Sequence, residues 1–186
     1  MAVKTMAKNT GTGQYNAGWH ELTISKATDG KWGDKRTIDL NFEGYPDNMR
    51  HRVFEASNKT TGEEFKIANL FRFACAGIIS VLQDPTGKNP VIQYDDEVTN
   101  LVGTRVNVFF VKEASTTDGK EYSRTFDLAP VAQETEHLTW TDDDVARLKR
   151  GIEKQHAKRI ATKTNGVGTT HLDTTTTVAG DAEIPF

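Results

Sequence analysis

The sequence predicts a mainly β protein with one helix set among five strands. Two observations predict it. Stretches such as RTIDLNFEG and MRHRVFEA alternate apolar and polar residues with a two-residue period, and turn-forming Gly, Pro, Asp and Asn separate them. One longer apolar run, from about residue 63 to 82, carries Leu70, Phe71, Ala74, Cys75, Ile78, Ile79 and Leu82 at helical spacing instead.

Taken in order, residues 1–17 are small and polar and read as a flexible arm. GWHELTISKA is the first strand, with Trp19, Leu22, Ile24 and Ala27 at a two-residue period broken by a slip that a bulge absorbs. DGKWGDK reads as a turn-rich loop. RTIDLNFEG is the second strand, with Ile38, Leu40 and Phe42 on one face and Thr37, Asp39 and Asn41 on the other. In MRHRVFEA, the third strand, Met49, His51 and Val53 share one face and Arg50, Arg52 and Phe54 the other. The buried helix follows and is expected to stop at Asp84, Pro85 and Gly87. LVGTRVNVFFVKEA is the fourth strand, STTDGKE a hairpin loop, and EYSRTFDLAP the fifth strand, closed by Pro130. A helix between the third and fourth of five antiparallel strands is the order of the OB-fold, a partly open Greek-key barrel. An SH3-like barrel and a small sandwich are the alternatives.

After the barrel, 18–132, the character changes. Residues 133–160 form a helical extension, with Thr141 as N-cap, aspartates at 142–144 in the first turn, Lys158 and Arg159 near its end to suit the helix dipole, and a thin apolar stripe of Val145, Leu148 and Ile152 that can take in Ile160. Such a helix either docks weakly on the barrel or is solvated. Residues 161–186 are rich in Thr and Gly and read as a disordered tail.

Composition narrows the function. The chain has 186 residues, of which 26% are charged and 36% hydrophobic. Those values suit one globular domain with polar extra sequence. No apolar run approaches the ~20 residues of a membrane helix, and MAVKTMAKNTGTGQY lacks the apolar core of a secretory signal, so the expected location is cytoplasmic, with no membrane partner. Cys75 has no internal partner and reads as core packing. The histidines show no ligand spacing, no phosphate loop or nucleophile set stands out, and neither cofactor, metal nor enzyme activity is expected. A net charge of −3 gives no overall basic footprint. Local basic clusters can still act within an acidic total, because screening confines each cluster's field to ~8–10 Å at physiological salt.

Those clusters coincide with the surfaces that OB-folds use for oligonucleotides, namely strands 2 and 3 and the loops joining strands 1–2 and 4–5. Binding without sequence readout needs cations for phosphates and aromatic faces for bases. The first loop supplies Lys31, Trp32, Lys35 and Arg36, and the third strand supplies Arg50, Arg52 and Phe54. The last hairpin supplies Lys120, Tyr122 and Arg124. Each aromatic has a second reading. Trp32 folds back onto the barrel end, Phe54 packs under the C-terminal segment, or Tyr122 joins the core with Phe126 and Leu128.

The final residues are DAEIPF. Carboxylates followed by an apolar terminus can dock where a basic rim surrounds an apolar pocket. Asp181, Glu183, Ile184, Pro185 and Phe186 resemble the acidic tip of bacterial and phage single-stranded DNA-binding proteins, which ends in Ile-Pro-Phe; Ala182 stands where that family usually has another acid. The resemblance to phage-encoded single-stranded DNA-binding proteins extends, less specifically, to the element order and to AGWHELTISKA. It implies single-stranded DNA as ligand, coating and protection in replication, recombination and repair, and host or phage replication proteins recruited through the tip. It also implies the cytoplasm of an infected bacterium as the setting and leaves self-association along DNA open. An adaptor or structural protein that binds other proteins and not DNA is the competing class.

Overall fold

The computed structural model describes residues 15–83, 90–115 and 117–165. Its centre is β1 (Gly18–Trp32), a strand long enough to serve two neighbours. The first half, Gly18 to Thr23, pairs with β6 (Arg105–Ala114), and the second half, Ile24 to Trp32, pairs with β2 (Lys35–Phe42). The register shifts between Ile24 and Lys26, where the slip in the alternation stands. A bulge of this kind raises the local twist, which lets one strand belong to two differently directed ladders. With β3 (His51–Phe54) beyond β2 and β7 (Glu121–Ala129) beyond β6, the antiparallel sheet runs β3-β2-β1-β6-β7. Strand pairing does not close this sheet into a barrel. Between its two edges Thr125 Oγ1 donates to the Arg50 carbonyl at 3.2 Å, and α1 (Lys66–Ala74) packs against β3, β6 and β7.

The alternating apolar residues of β2, β3 and β6 meet one face of α1. Ile38, Leu40, Phe71, Val108 and Phe110 are fully buried there. The expected helix over 63–82 is half as long as its apolar spacing suggests. The carboxylate of Glu64 opens it by accepting the N–H groups of Ile67 and Ala68 (2.7 and 3.0 Å). It ends at Cys75, whose φ of 49° is left-handed. The Ala76 N–H then reaches the Phe71 carbonyl and the Cys75 N–H the Arg72 carbonyl, a Schellman closure. Gly77 follows at φ 62°, and a Cβ there would lie 2.3 Å from the Asp95 carbonyl oxygen, so the close approach excludes any side chain. The remaining apolar residues form β4 (Ile78–Gln83), paired with β5 (Pro90–Tyr94) in a hairpin of its own. Ile79, Leu82 and Val91 are exposed on it.

A turn of 3-10 helix, Val98–Leu101, leads into β6. After β7 a small ladder of β8 (Gln133–Glu134) and β9 (Thr139–Trp140) precedes α2 (Asp142–Asn165). Trp140 is buried, donates Nε1 to the Arg72 carbonyl (3.1 Å) and lies under the Arg72 guanidinium, which pins this segment to α1. Thr141 caps α2, its Oγ1 accepting the Asp144 N–H. The helix docks rather than floating in solvent: Trp19 donates to Glu153 (2.8 Å), Val145 is buried, and His156 sits edge-on to Phe109 and Phe126. It also runs on to Asn165, into the stretch from 161 expected to be tail.

His51 lies buried on the inner face of β3. Burial pushes its imidazole down to about 4; Lys66 acts in the same direction, while Asp127 and Asp39 oppose it. The unfolded chain, with an ordinary imidazole near ~6.5, takes up the proton first. Folding stability is therefore full above about pH 6.5 and is lost as pH falls toward the folded value. Thermal or urea melts should lose about 2 kcal/mol between pH 7 and pH 5 through this group. In His51→Gln that pH-dependent part should disappear, whatever the variant's absolute stability; an unchanged pH slope would exclude His51 as its source.

Candidate nucleic-acid interface

β1 and β2 are joined by a two-residue turn and not by an open loop. Trp32 pairs with Lys35, and Gly33 at the first turn position has φ 59°, the left-handed backbone that such a turn reserves for glycine. DGKWGDK is thus the end of a twisted β-ribbon. Its side chains sort by pairing, since residues directly opposite each other in an antiparallel ladder share a face. Trp32 with Lys35, Thr37 with Phe54, Asp39 with Arg52, and Asn41 with Lys26 all fall on the outer face of β1, β2 and β3. Trp32 is 65% exposed and Phe54 42% exposed, and the Arg52 guanidinium lies 5.9 Å from the indole centre. Neither ring folds back into the protein.

The arginines of this face are partly neutralised. Arg52 clamps Asp39 with two hydrogen bonds, 2.6 and 2.7 Å, and Arg50 approaches the same carboxylate at 3.4 Å. The Arg52 hydrogen bond, outweighing partial burial, holds the Asp39 carboxyl below the ordinary range. One anion between two guanidinium groups leaves a net positive site. Lys26 and Lys35 stand exposed beside it and form no ion pair among the described residues.

Arg36 and Lys31 point to the opposite side of the ribbon. Arg36 is held there by Asp29 (2.7–3.0 Å) and by Asp96, which ties the ribbon to the chain after β5. Asp29 first, then Asp96, raises the guanidinium pKa further. Arg36 is therefore a latch between two segments, and the structure does not bring it to the face of Trp32. Lys31 remains exposed beside it at the ribbon end.

The third group lies apart, on the β6–β7 hairpin. Tyr122 is 42% exposed and donates its hydroxyl to Asp118 (2.6 Å), so it does not join the core with Leu128. Arg124 is exposed and approaches Glu113 at 3.8 Å, and Lys120 is exposed at the hairpin. The link from here to the Trp32 face is Thr125, through its bond to Arg50. Asp181, Glu183, Ile184, Pro185 and Phe186 lie outside the described residues.

Lys26 and Asp39 belong to the face and are not found by sequence reading. Lys26 reaches it only because of the bulge after Ile24, and the role of Asp39 needs the cross-strand register with Arg52. Among the described residues, no group of three or more His, Cys, Asp and Glu is placed to hold a metal ion, and no helix is long and apolar enough to cross a membrane. No protein-family model and no curated protein matches the chain.

Proposed function

We propose that this chain binds single-stranded DNA, without sequence readout, across the outer face of β1, β2 and β3, on a sheet that forms an open OB-type barrel. One observation carries it: an indole and a phenyl ring stand exposed on one sheet face, among Lys26, Lys35, Arg50 and Arg52. Exposed apolar surface rimmed by polar and charged residues marks an interaction site. Rings accept any base by stacking, and the surrounding cations accept the phosphates. The acidic tip, Asp181 to Phe186, supports the same reading through its resemblance to single-stranded DNA-binding proteins and would recruit replication or repair proteins to the coated strand, raising their local concentration.

Titration of a fluorescent oligo-dT tests the proposal. Binding is expected at low salt and weakens as salt rises, through release of counterions from the strand. Absence of binding at low salt rejects it. Asp39 supplies a sharper prediction. Asp39→Asn removes the carboxylate shared by Arg50 and Arg52 and frees both for phosphate. Oligo-dT affinity should rise several-fold with a steeper salt dependence. Unchanged affinity and slope would show that these arginines meet no phosphate.

A second reading, a protein-binding adaptor, is favoured by the β4–β5 hairpin, where Ile79, Leu82 and Val91 are exposed. It becomes the better account if oligo-dT does not bind.

A further inference from the structure

α2 is basic against the trend of the chain. DDDVARLKRGIEKQHAKRIATKTN holds seven Lys and Arg against four Asp and Glu, while the whole chain carries −3. The charges sort by position. Three of the acids sit in the first turn, where Asp144 pairs with Arg147 (2.8 Å). The fourth, Glu153, accepts the Trp19 indole N–H. Lys149 is turned inward, donating to Asn107 (2.8 Å) beside the Trp19 ring. Of the other five, Arg159 lies over the Phe126 ring, and Arg150, Lys154 and Lys158 are exposed and in no ion pair among the described residues. Spaced four apart, they fall within about 80° of one face and span ~12 Å of helix.

Helix formation does not account for this row. The helix dipole favours cations in the last turn, and Arg150 and Lys154 stand in the middle. Like charges four residues apart destabilise a helix by ~0.2–0.5 kcal/mol per pair, and this row contains two such pairs. A polyanion lying along the row would reverse that repulsion.

The row lies on the side of α2 turned away from the sheet: at about 100° per residue, Arg150, Lys154 and Lys158 stand roughly opposite Val145, Lys149 and His156, which meet the sheet. Three consecutive residues of β7 join the candidate face to the helix. Thr125 donates to the Arg50 carbonyl, Arg124 is exposed, and the Phe126 ring lies against His156 (4.8 Å) and under Arg159 (5.7 Å). A strand leaving the face near Arg50 would cross β7 by Arg124, reach α2 at Arg159, and pass from Lys158 beside it over the helix onto the row.

We propose that the exposed row on α2 extends the nucleic-acid site: a phosphodiester backbone crossing β7 at Arg124 runs on past Lys158, Lys154 and Arg150. This rests on the single-strand reading above. The row's own neighbours, Gly151, Gln155 and Ala157, offer no bulky apolar residue of the kind a membrane-surface helix buries among lipid headgroups. That favours a solvated phosphate backbone over a lipid surface.

The test compares the full chain with R150Q/K154Q/K158Q on oligo-dT of about 8 and about 30 nucleotides, one short enough for the sheet face and one long enough to pass beyond it. The helical circular-dichroism signal should not change. The short oligonucleotide should bind both proteins with affinities within about two-fold. The long one should bind the variant about 10-fold more weakly, and the slope of log affinity against log salt should flatten by about 2. Unchanged affinity and slope for the long oligonucleotide, or equal losses for both lengths, overturn the extension while leaving the sheet face in place. No binding of either length by the parent chain removes both proposals. Loss of binding to phosphatidylserine vesicles with oligonucleotide binding intact assigns the row to membranes and overturns the extension.

Discussion

Trp32→Ala should lower oligo-dT affinity about 5- to 150-fold, the equivalent of ~1–3 kcal/mol for one stacked base. Phe54→Ala should cost a comparable amount. Both rings are exposed on the same outer face, and neither packs in the core. Their truncation should therefore leave the thermal transition almost unmoved, since surface changes away from special features stay within about 0.5 kcal/mol. A drop in affinity with an intact melt separates a binding role from a folding one. The double variant tests the geometry as well. Rings serving successive bases of one strand should lose roughly additively, whereas losses that fail to add would place both rings on one base. Changing Arg36 should do little through phosphate contact, because its guanidinium is already engaged by Asp29 and Asp96.

Phe110→Ala should show the opposite pattern. This ring is fully buried at the middle of β6, with His20 edge-on at 4.9 Å, Tyr45 stacked at 5.5 Å and Tyr15 at 6.2 Å. It unites β1, the turn after β2 and the chain before β1 in one contact. Removing it opens a cavity that three rings cannot fill without leaving their own positions. A cost of about 3–5 kcal/mol is expected, and for a domain of this size the melting temperature should fall by roughly 10 °C or more. Below that lowered transition, oligo-dT affinity should stay near the parent value, because the ring lies in the core and not on the outer face. A small shift in melting would mean that the surrounding rings close over the gap.

Period and turn chemistry made much of this fold legible. The faces of β2 and β3 follow directly from RTIDLNF and MRHRVF, and Phe54 stands where that alternation puts it. The slip in β1 foretold the bulge after Ile24. The end of α1 was not legible, for a definite reason. Its left-handed terminus falls on Cys75, a residue with no preference for that backbone, and Ile78, Ile79 and Leu82 satisfy helical spacing and strand alternation equally well. The close approach of Gly77 to the Asp95 carbonyl, which fixes the chain after that terminus, is long-range. The DGKWGDK segment misled similarly: Gly and Asp signalled a turn, but not that the strands run up to its two central residues. Closure of the sheet is likewise not encoded in element order. The β3 and β7 edges meet through Thr125, Arg50 and α1 and not through a ladder.

Charge partners were the least readable part of the site. A lone count of cations at 31–36 treats them as one cluster, whereas alternation sends Trp32 and Lys35 to one face and Lys31 and Arg36 to the other. Asp29, Asp39 and Asp96 then decide which guanidinium groups remain open to a ligand, and all three partnerships depend on register or on tertiary approach.

The most direct test uses tryptophan emission. The chain has three tryptophans. Trp140 is buried and Trp19 is partly covered, stacked on Phe109 at 4.9 Å with the Lys149 ammonium over it, so Trp32 is the most exposed of the three. Adding oligo-dT at low salt should quench the emission, and Trp32→Phe should abolish most of that quench while still binding. Quenching of the same size in Trp32→Phe, or binding with no change in emission, would contradict a strand lying across the face of β1, β2 and β3.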